Sequence, residues 1–234
     1  MIVSLTIVRY KKAYIPFALL AMAIHRLPLM LRKGCTFWKL LGTGRNGTFD
    51  LTPDWQQWGL LAVWNSRDHF DNFNNTSFIT RWWSLFETER WTLLCTPLQS
   101  HGKWDGREPF GKPADNTYSG PIAVLTRATI RLSKLKRFWS HVDNVARLMT
   151  TARGFIASIG IGEAPAYRQA TFSIWETEEK MKAFSYGSPE HAEVIRKTRR
   201  ENWYSEELFA RFKPIASYGT LNGDNPLKNL STTS

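Results

Sequence analysis

Apolar and polar residues alternate along "IVSLTIVRY" (Ile2–Tyr10) and again along "IAVLTRATIR" (Ile122–Arg131), the two-residue period of a strand. Each run leads into a stretch of helical apolar spacing that stops at Gly34 or Gly154, where a glycine suits a helix end. The correspondence continues along the chain. "FWKLLGTG" (Phe37–Gly44) matches "FIASIGIG" (Phe155–Gly162), and "GLLAVWNSRDHFDNF" (Gly59–Phe73) matches "ATFSIWETEEKMKAF" (Ala170–Phe184). "PLQSHG" (Pro97–Gly102) then matches "PIASYG" (Pro214–Gly219). Each half therefore predicts strand-helix-strand-strand-helix-strand, the ferredoxin-like unit. The expected fold class is α+β: two ferredoxin-like repeats of the dimeric α/β-barrel type, related by a pseudo-twofold within one chain. The expected organisation is a first repeat over 1–104, a linker rich in Gly, Pro and charge over 105–120, a second repeat over 121–223 and a polar, frayed tail over 224–234. With the two sheets facing each other, helices cover each outer face. Ala170, Phe172 and Ile174 share one side of their strand, and this apolar set is expected to meet the helices.

The duplicated plan decides two local signals. Gly42, Gly44 and Gly47 spell G-x-G-x-x-G, which cradles phosphate where a helix opens on the last glycine. Here a turn-rich stretch with Pro53 follows, and Gly42 and Gly44 match Gly160 and Gly162 at a strand end. They are read as turn formers. "RYKKAYIPFALLAMAIHR" resembles a secretion signal, but the strand before it belongs to the repeat, so the segment is read as part of the fold. Its apolar run Ala13–Ile24 is too short to span a bilayer.

Composition adds less. At 234 residues with 43% hydrophobic content the chain builds a real core, and 14% aromatic content with 11 Trp suits either core filling or a pocket for a large conjugated ligand. The net charge of +11 favours an acidic partner or lipid headgroups; the basic residues are scattered and no nucleic-acid motif accompanies them, so nucleic-acid binding is not expected. Cys35 and Cys95, without metal-ligand spacing, argue for a reducing compartment and against a zinc site or disulfide framework.

No hydrolase, zincin or Walker motif is present, which leaves five histidines. His69 reads as exposed, His101 as structural, and His25, beside Arg26 at a helix end, as a favourable cation without a catalytic role. His141 lies on a helix with Val145 and Leu148 four and seven residues on. His191 follows Ser188 as N-cap and Pro189 as first helical residue, and shares a face with Val194, Ile195 and Thr198. The helix dipole there keeps an imidazole neutral, so His191 reads either as a metal ligand or as a hydrogen-bonded core histidine.

"LTRATIRLSKLKRFW", "SIGIGEAPAYRQATFSIW" and "HAEVIRKTRRENWYSEELFARF" resemble the spheroidene monooxygenase family, the acyclic carotenoid 2-ketolases, and "FWKLLGTG" and "KWDGREPF" extend the likeness over nearly the whole chain. The resemblance implies an oxygen-dependent enzyme with haem as cofactor and reduced ferredoxin as electron donor. Such an enzyme hydroxylates an acyclic carotenoid at C-2, and a second hydroxylation gives a gem-diol that collapses to a ketone. By analogy with duplicated ferredoxin-like haem proteins, the haem is expected in the second repeat. His191 is then the candidate axial ligand and His141 the alternative. Arg168 is the candidate partner of a propionate or of bound oxygen, and Trp175 and Trp203 are candidate pocket walls. Tyr14–Leu31 is either a core helix or a segment dipping into the membrane where carotenoids reside, so the expected location is cytoplasmic or peripheral to the inner membrane, with an oligomer allowed. Two other readings stay open: a cofactor-free or haem-degrading monooxygenase of the same fold, and a non-catalytic carotenoid or small-molecule binding protein.

Overall fold

The computed structural model describes residues 1–45, 52–111, 118–164, 166–187, 196–198 and 200–230, with the side chains of 141–147 and 230 outside that description. The strands are β1 (Ile2–Tyr10), β2 (Cys35–Gly44), β3 (Pro53–Trp64), β4 (Glu87–Gly102), β5 (Ile122–Ile130), β6 (Phe155–Ala164), β7 (Arg168–Trp175) and β8 (Tyr204–Gly219). The helices are α1 (Ile15–Ile24), α2 (Arg26–Met30), α3 (Arg67–Thr76), α4 (Phe78–Phe86), α5 (Leu135–Thr150) and α6 (Glu178–Gly187). The predicted order of elements is met in both halves, and the α+β expectation holds. Strands neighbour one another as β1-β3-β2-β6-β7-β5-β8-β4, and this order closes into a barrel.

Local chemistry sets the helix starts. Ser66 and Ser77 cap α3 and α4, their hydroxyls accepting from the amides of His69 and Thr80. Pro16 stands in the first turn of α1, where its missing N–H costs nothing. Gly34 and Gly154, at φ +80° and +82°, make the turns before β2 and β6 that a glycine was expected to make.

Two compact units share the chain: Met1–Thr43 with Asp54–Pro97 and Pro214–Ser234, and Gly44–Pro53 with Leu98–Lys213. They differ from the halves read off the sequence, because β4 and β8 are each 16 residues long and divide between units. In the first unit β1 pairs antiparallel with β3 and β4, which makes Ile2–Tyr10 a paired strand of the sheet. Its helix-facing core includes Tyr10, Leu60, Trp64, Phe73, Ile79 and Trp83. In the second unit β5 pairs antiparallel with β7 and β8, and β6 with β7. Ile122, Val124, Met149, Trp175 and Met181 form its helix-facing core.

That last cluster corrects the predicted strand orientation. Trp175, not Ala170, Phe172 and Ile174, meets the helices; Phe172 stacks on Phe212 at 6.1 Å, and the Phe212 ring meets Phe110 edge-on at 5.0 Å. β7 is buried on both faces, so apolarity does not distinguish its sides, and the helix side accepts the buried hydroxyls of Thr171 and Ser173.

The stretch expected to be a linker begins as packed structure: Phe110 is 1% exposed, as is Trp104 just before the stretch. Part of the expected tail is packed too, with Leu227 buried. Both belong to one nine-residue pattern, "GKWDGREPF" from Gly102 and "GTLNGDNPL" from Gly219. Each makes a tight turn closed by a bridge, Trp104 to Arg107 and Leu221 to Asp224. The central residues all take positive φ: Asp105 50°, Gly106 72°, Asn222 55° and Gly223 85°, the torsions of a type I′ turn.

Candidate functional site

A strand with one face in a sealed interior places every second residue there. On β5 those residues are Ala123, Leu125 and Arg127, so a guanidinium 2% exposed stands in line with two apolar side chains. At the equivalent place on β1, three residues before the register shift, stands Ile7. The second unit therefore carries a buried cation where the first carries a methyl-rich side chain.

Three carboxylates and a ring surround it, all from the second unit. Arg127 Nη1 forms an ion pair with Glu206 on β8; Nη2 lies 3.6 Å from Glu163 on β6 and 3.9 Å from Asp105 in the first tight turn. The guanidinium carbon lies over the Trp104 ring, 5.4 Å from its centroid, in cation–π contact. Trp104 donates from Nε1 to Glu163 at 2.8 Å, and the amides of Asp105 and Gly106 donate to the two oxygens of Glu206 at 3.0 and 2.8 Å. Burial alone would raise the Glu206 carboxyl, but those two amides and Arg127 outweigh it and hold it below the ordinary carboxylate value.

Arg168, at the start of β7, joins the same group: its Nη1 is 3.5 Å from Asp105 and 4.0 Å from Glu163, and its side chain is 37% exposed. Two guanidinium groups thus face three carboxylates. Arg127 Nε and Nη2 and Arg168 Nε are buried and make no hydrogen bond to any of the described residues. Spare buried donors suit a neutral oxygen acceptor, whereas a further anion would enter a set that already holds one carboxylate in excess.

The other expected site residues lie elsewhere. Trp175 stacks on Phe184 at 5.4 Å, meets Phe155 edge-on at 5.5 Å and donates to Ser173. Trp203, fully buried, packs with Ile130 and Phe138 and donates to Glu201 at 2.8 Å. Arg168, Trp175 and Trp203 therefore belong to three separate packings. His191 falls outside the described residues, and His141 lies on α5 with its side chain likewise outside them. Among the described residues no three His, Cys, Asp or Glu gather as metal ligands. The residues expected to hold a haem, His191 and the side chain of His141, lie outside the described residues, and the packing around Trp175 involves neither of them.

His25 corrects its sequence reading. It is 1% exposed, its Nε2 has no partner among the described residues, and the rings of Phe78, Trp82 and Trp83 stand edge-on around it at 5.9–6.3 Å. Burial lowers its pKa from 6.5 to about 4, so it is neutral in the folded protein rather than cationic. The unfolded chain takes up the proton below about pH 6.5 while the folded protein resists down to about 4, so stability is complete above that window and falls as acid is added. The expected loss across the window is about 2–3 kcal/mol, and His25→Phe should remove that slope. Urea midpoints at neutral pH and near the lower end of the window measure it.

Two open clefts, of about 640 and 580 Å³, lie in the first unit beside α3; Arg67, Glu89, Arg90 and Tyr218 line one, Arg32, Asp68 and His69 the other. Neither touches the charged group around Arg127.

No protein-family model matches the chain. A spheroidene monooxygenase of Rhodobacter capsulatus is 32% identical over 229 residues, covering 97% of this chain and 95% of the relative. One of Rubrivivax gelatinosus is 34% identical, covering 84% and 75%. One of Cereibacter sphaeroides is 36% identical over 209 residues, 88% of this chain but only 64% of the relative's length. Among solved structures, an aldoxime dehydratase in complex with butyraldoxime superposes with a TM-score of 0.57 at 12% identity, over 91% of this chain and 79% of that one. A second aldoxime dehydratase gives 0.56 at 11% identity, over 91% and 80%. At such identities the likeness concerns the fold alone.

Proposed function

The chain belongs to the spheroidene monooxygenase family, and from that premise we propose that it inserts oxygen into an acyclic carotenoid. The observation that carries the reading is the relation over 97% of this chain to a relative of nearly equal extent. The reaction class consumes dioxygen, two electrons and two protons per oxygen atom inserted. Attack at C-2, repeated at the same carbon, gives a gem-diol that loses water to become a ketone.

In this reading the buried Arg127, with the half-exposed Arg168 beside it, presents N–H donors to an oxygen atom where water is largely excluded and such bonds are stronger than in water. Glu163, Glu206 and Asp105 keep both cations in place, and the Trp104 turn closes over them. The electron donor is an acidic ferredoxin, drawn to a chain of net charge +11. Haem enters as the cofactor implied by the family resemblance; His191 would hold it, and it would supply a redox-active iron for oxygen chemistry. No role of a described residue depends on it.

Two measurements test the reading. In a host that accumulates acyclic carotenoids, the chain should yield products heavier by one oxygen atom or carrying a new ketone. An unchanged pigment profile with soluble, folded protein rejects the activity and favours a carotenoid-binding role. Protein made with haem supply should show a Soret band that His191→Ala abolishes or shifts and His141→Ala leaves unchanged. A band indifferent to His191 moves the ligand elsewhere, and no band after reconstitution favours a cofactor-free enzyme.

A further inference from the structure

A helix on the surface of a water-soluble domain shows one apolar stripe and one polar face. The segment Lys12–Met30 does not. Its buried positions, Ala18, Ala21, His25 and Leu29, form a single narrow row against the rest of the first unit. Apart from Lys12 and Arg26 the remaining positions are apolar or aromatic as well, and only 22% of its most apolar 18-residue window is buried. Leu27, Met30 and Leu31 are 62, 70 and 73% exposed, and Leu85 at the end of α4 is 72% exposed. Phe17, Trp82, Phe86 and Phe78 continue the patch as a chain of touching rings. At the equivalent place in the second half, α5 places Lys136, Arg137 and Arg147 among its apolar residues. The fold therefore does not require an apolar exterior at this position.

The charges along the segment itself are of one sign. From Lys11 to Lys33 the sequence carries Lys11, Lys12, Arg26, Arg32 and Lys33 and no carboxylate, and Arg81 adds another cation on α4. We infer that this face of α1, α2 and α4 enters one leaflet of an anionic lipid bilayer, with the helices lying in its plane. The buried row runs the length of the segment and ties it to the domain, so it cannot stand across the membrane without unpacking Ala18, Ala21, His25 and Leu29. Aromatic rings at the edge of the patch suit the headgroup level, and the cations suit phosphate. A water-soluble partner would need carboxylates facing six cations around a bare apolar centre; a bilayer of anionic lipid supplies both chemistries at once. The inference stands apart from the proposed oxygenation, because it needs no substrate.

The test is flotation of the full chain with vesicles, first of phosphatidylcholine alone and then with phosphatidylglycerol added. The chain should float with the anionic vesicles and less with the neutral ones. Leu27→Glu/Leu31→Glu should weaken binding at least about tenfold without changing the melting curve, since both side chains are exposed. Lys11→Gln/Lys12→Gln/Lys33→Gln should remove the preference for anionic lipid and its salt sensitivity. Absence of flotation, or flotation indifferent to the leucine changes, overturns the inference. So does a dimer that the leucine changes dissociate while vesicles bind nothing, which would make a second copy the occupant. Loss of carotenoid oxygenation alone leaves it standing.

Discussion

Arg127→Leu lowers the unfolding free energy by about 3–5 kcal/mol, although leucine matches Ala123 and Leu125 beside it and Ile7 in the first unit. The loss does not come from packing. It comes from Glu206 and Glu163, 25 and 15% exposed, which keep their places with the cation between them gone. Denaturant midpoints at neutral pH measure the effect. The Glu206 carboxyl is held below its ordinary value in the folded wild type, so its stabilising contribution is present above the unfolded value and is lost as pH falls through the folded one. The deficit of Arg127→Leu should therefore narrow in acid. Arg127→Leu/Glu206→Leu should recover part of it, because a buried pair replaced by apolar side chains costs less than a buried pair broken. Equal midpoints for wild type and Arg127→Leu would show that the carboxylates are satisfied without it.

Gly102→Ala and Gly219→Ala should each cost about 2–4 kcal/mol. Both glycines hold positive φ, +86° and +72°, where an L side chain is strained. Each also lies against backbone: a Cβ on Gly102 would run into the carbonyl oxygen of Glu207, and one on Gly219 into that of Arg90. Those carbonyls accept from the amides of Lys103 and Thr220, so retreat would break a hydrogen bond. Gly106→Ala is the control, because its φ is +72° but nothing lies within 4 Å of an added Cβ. Thermal melts of the three variants separate torsional strain from collision. If all three lose the same amount, collision contributes nothing.

The element order was legible because strand alternation and terminal glycines are local signals, and each appeared twice. Orientation was not. Apolar contrast along β7 points to a half-exposed strand, whereas this strand is covered on both sides, and Phe172 faces away from the helices. The charged group was missed for a related reason. Trp104, Asp105, Arg127, Glu163, Arg168 and Glu206 are scattered over about a hundred positions, and only pairing in the sheet brings them together. One signal was available: Arg127 interrupts "IAVLTRATI" on the side of Ala123 and Leu125, where a strand buried on both faces has no outlet for a charge. A second was the recurrence of the nine-residue pattern "GKWDGREPF" as "GTLNGDNPL", which marks paired turns rather than a spacer and a loose end. Of the residues chosen from sequence whose side chains are described, Arg168 alone joins the charged group, and it does so through Asp105 and Glu163.

The two tight turns also set an order of events in time. Glu206 accepts from the amides of Asp105 and Gly106 across 101 and 100 residues, and Glu89 accepts from Gly223 across 134. On a ribosome adding roughly 5–20 residues per second, the first turn waits on the order of 5–20 s before the strand that fastens it emerges. Glu163 follows Trp104 by only 59 residues, but Arg127 has no Glu206 until that interval closes, so the charged group assembles late. Synthesis from one end therefore gives the first half time to gather around β1, while the charged group of the second waits for β8.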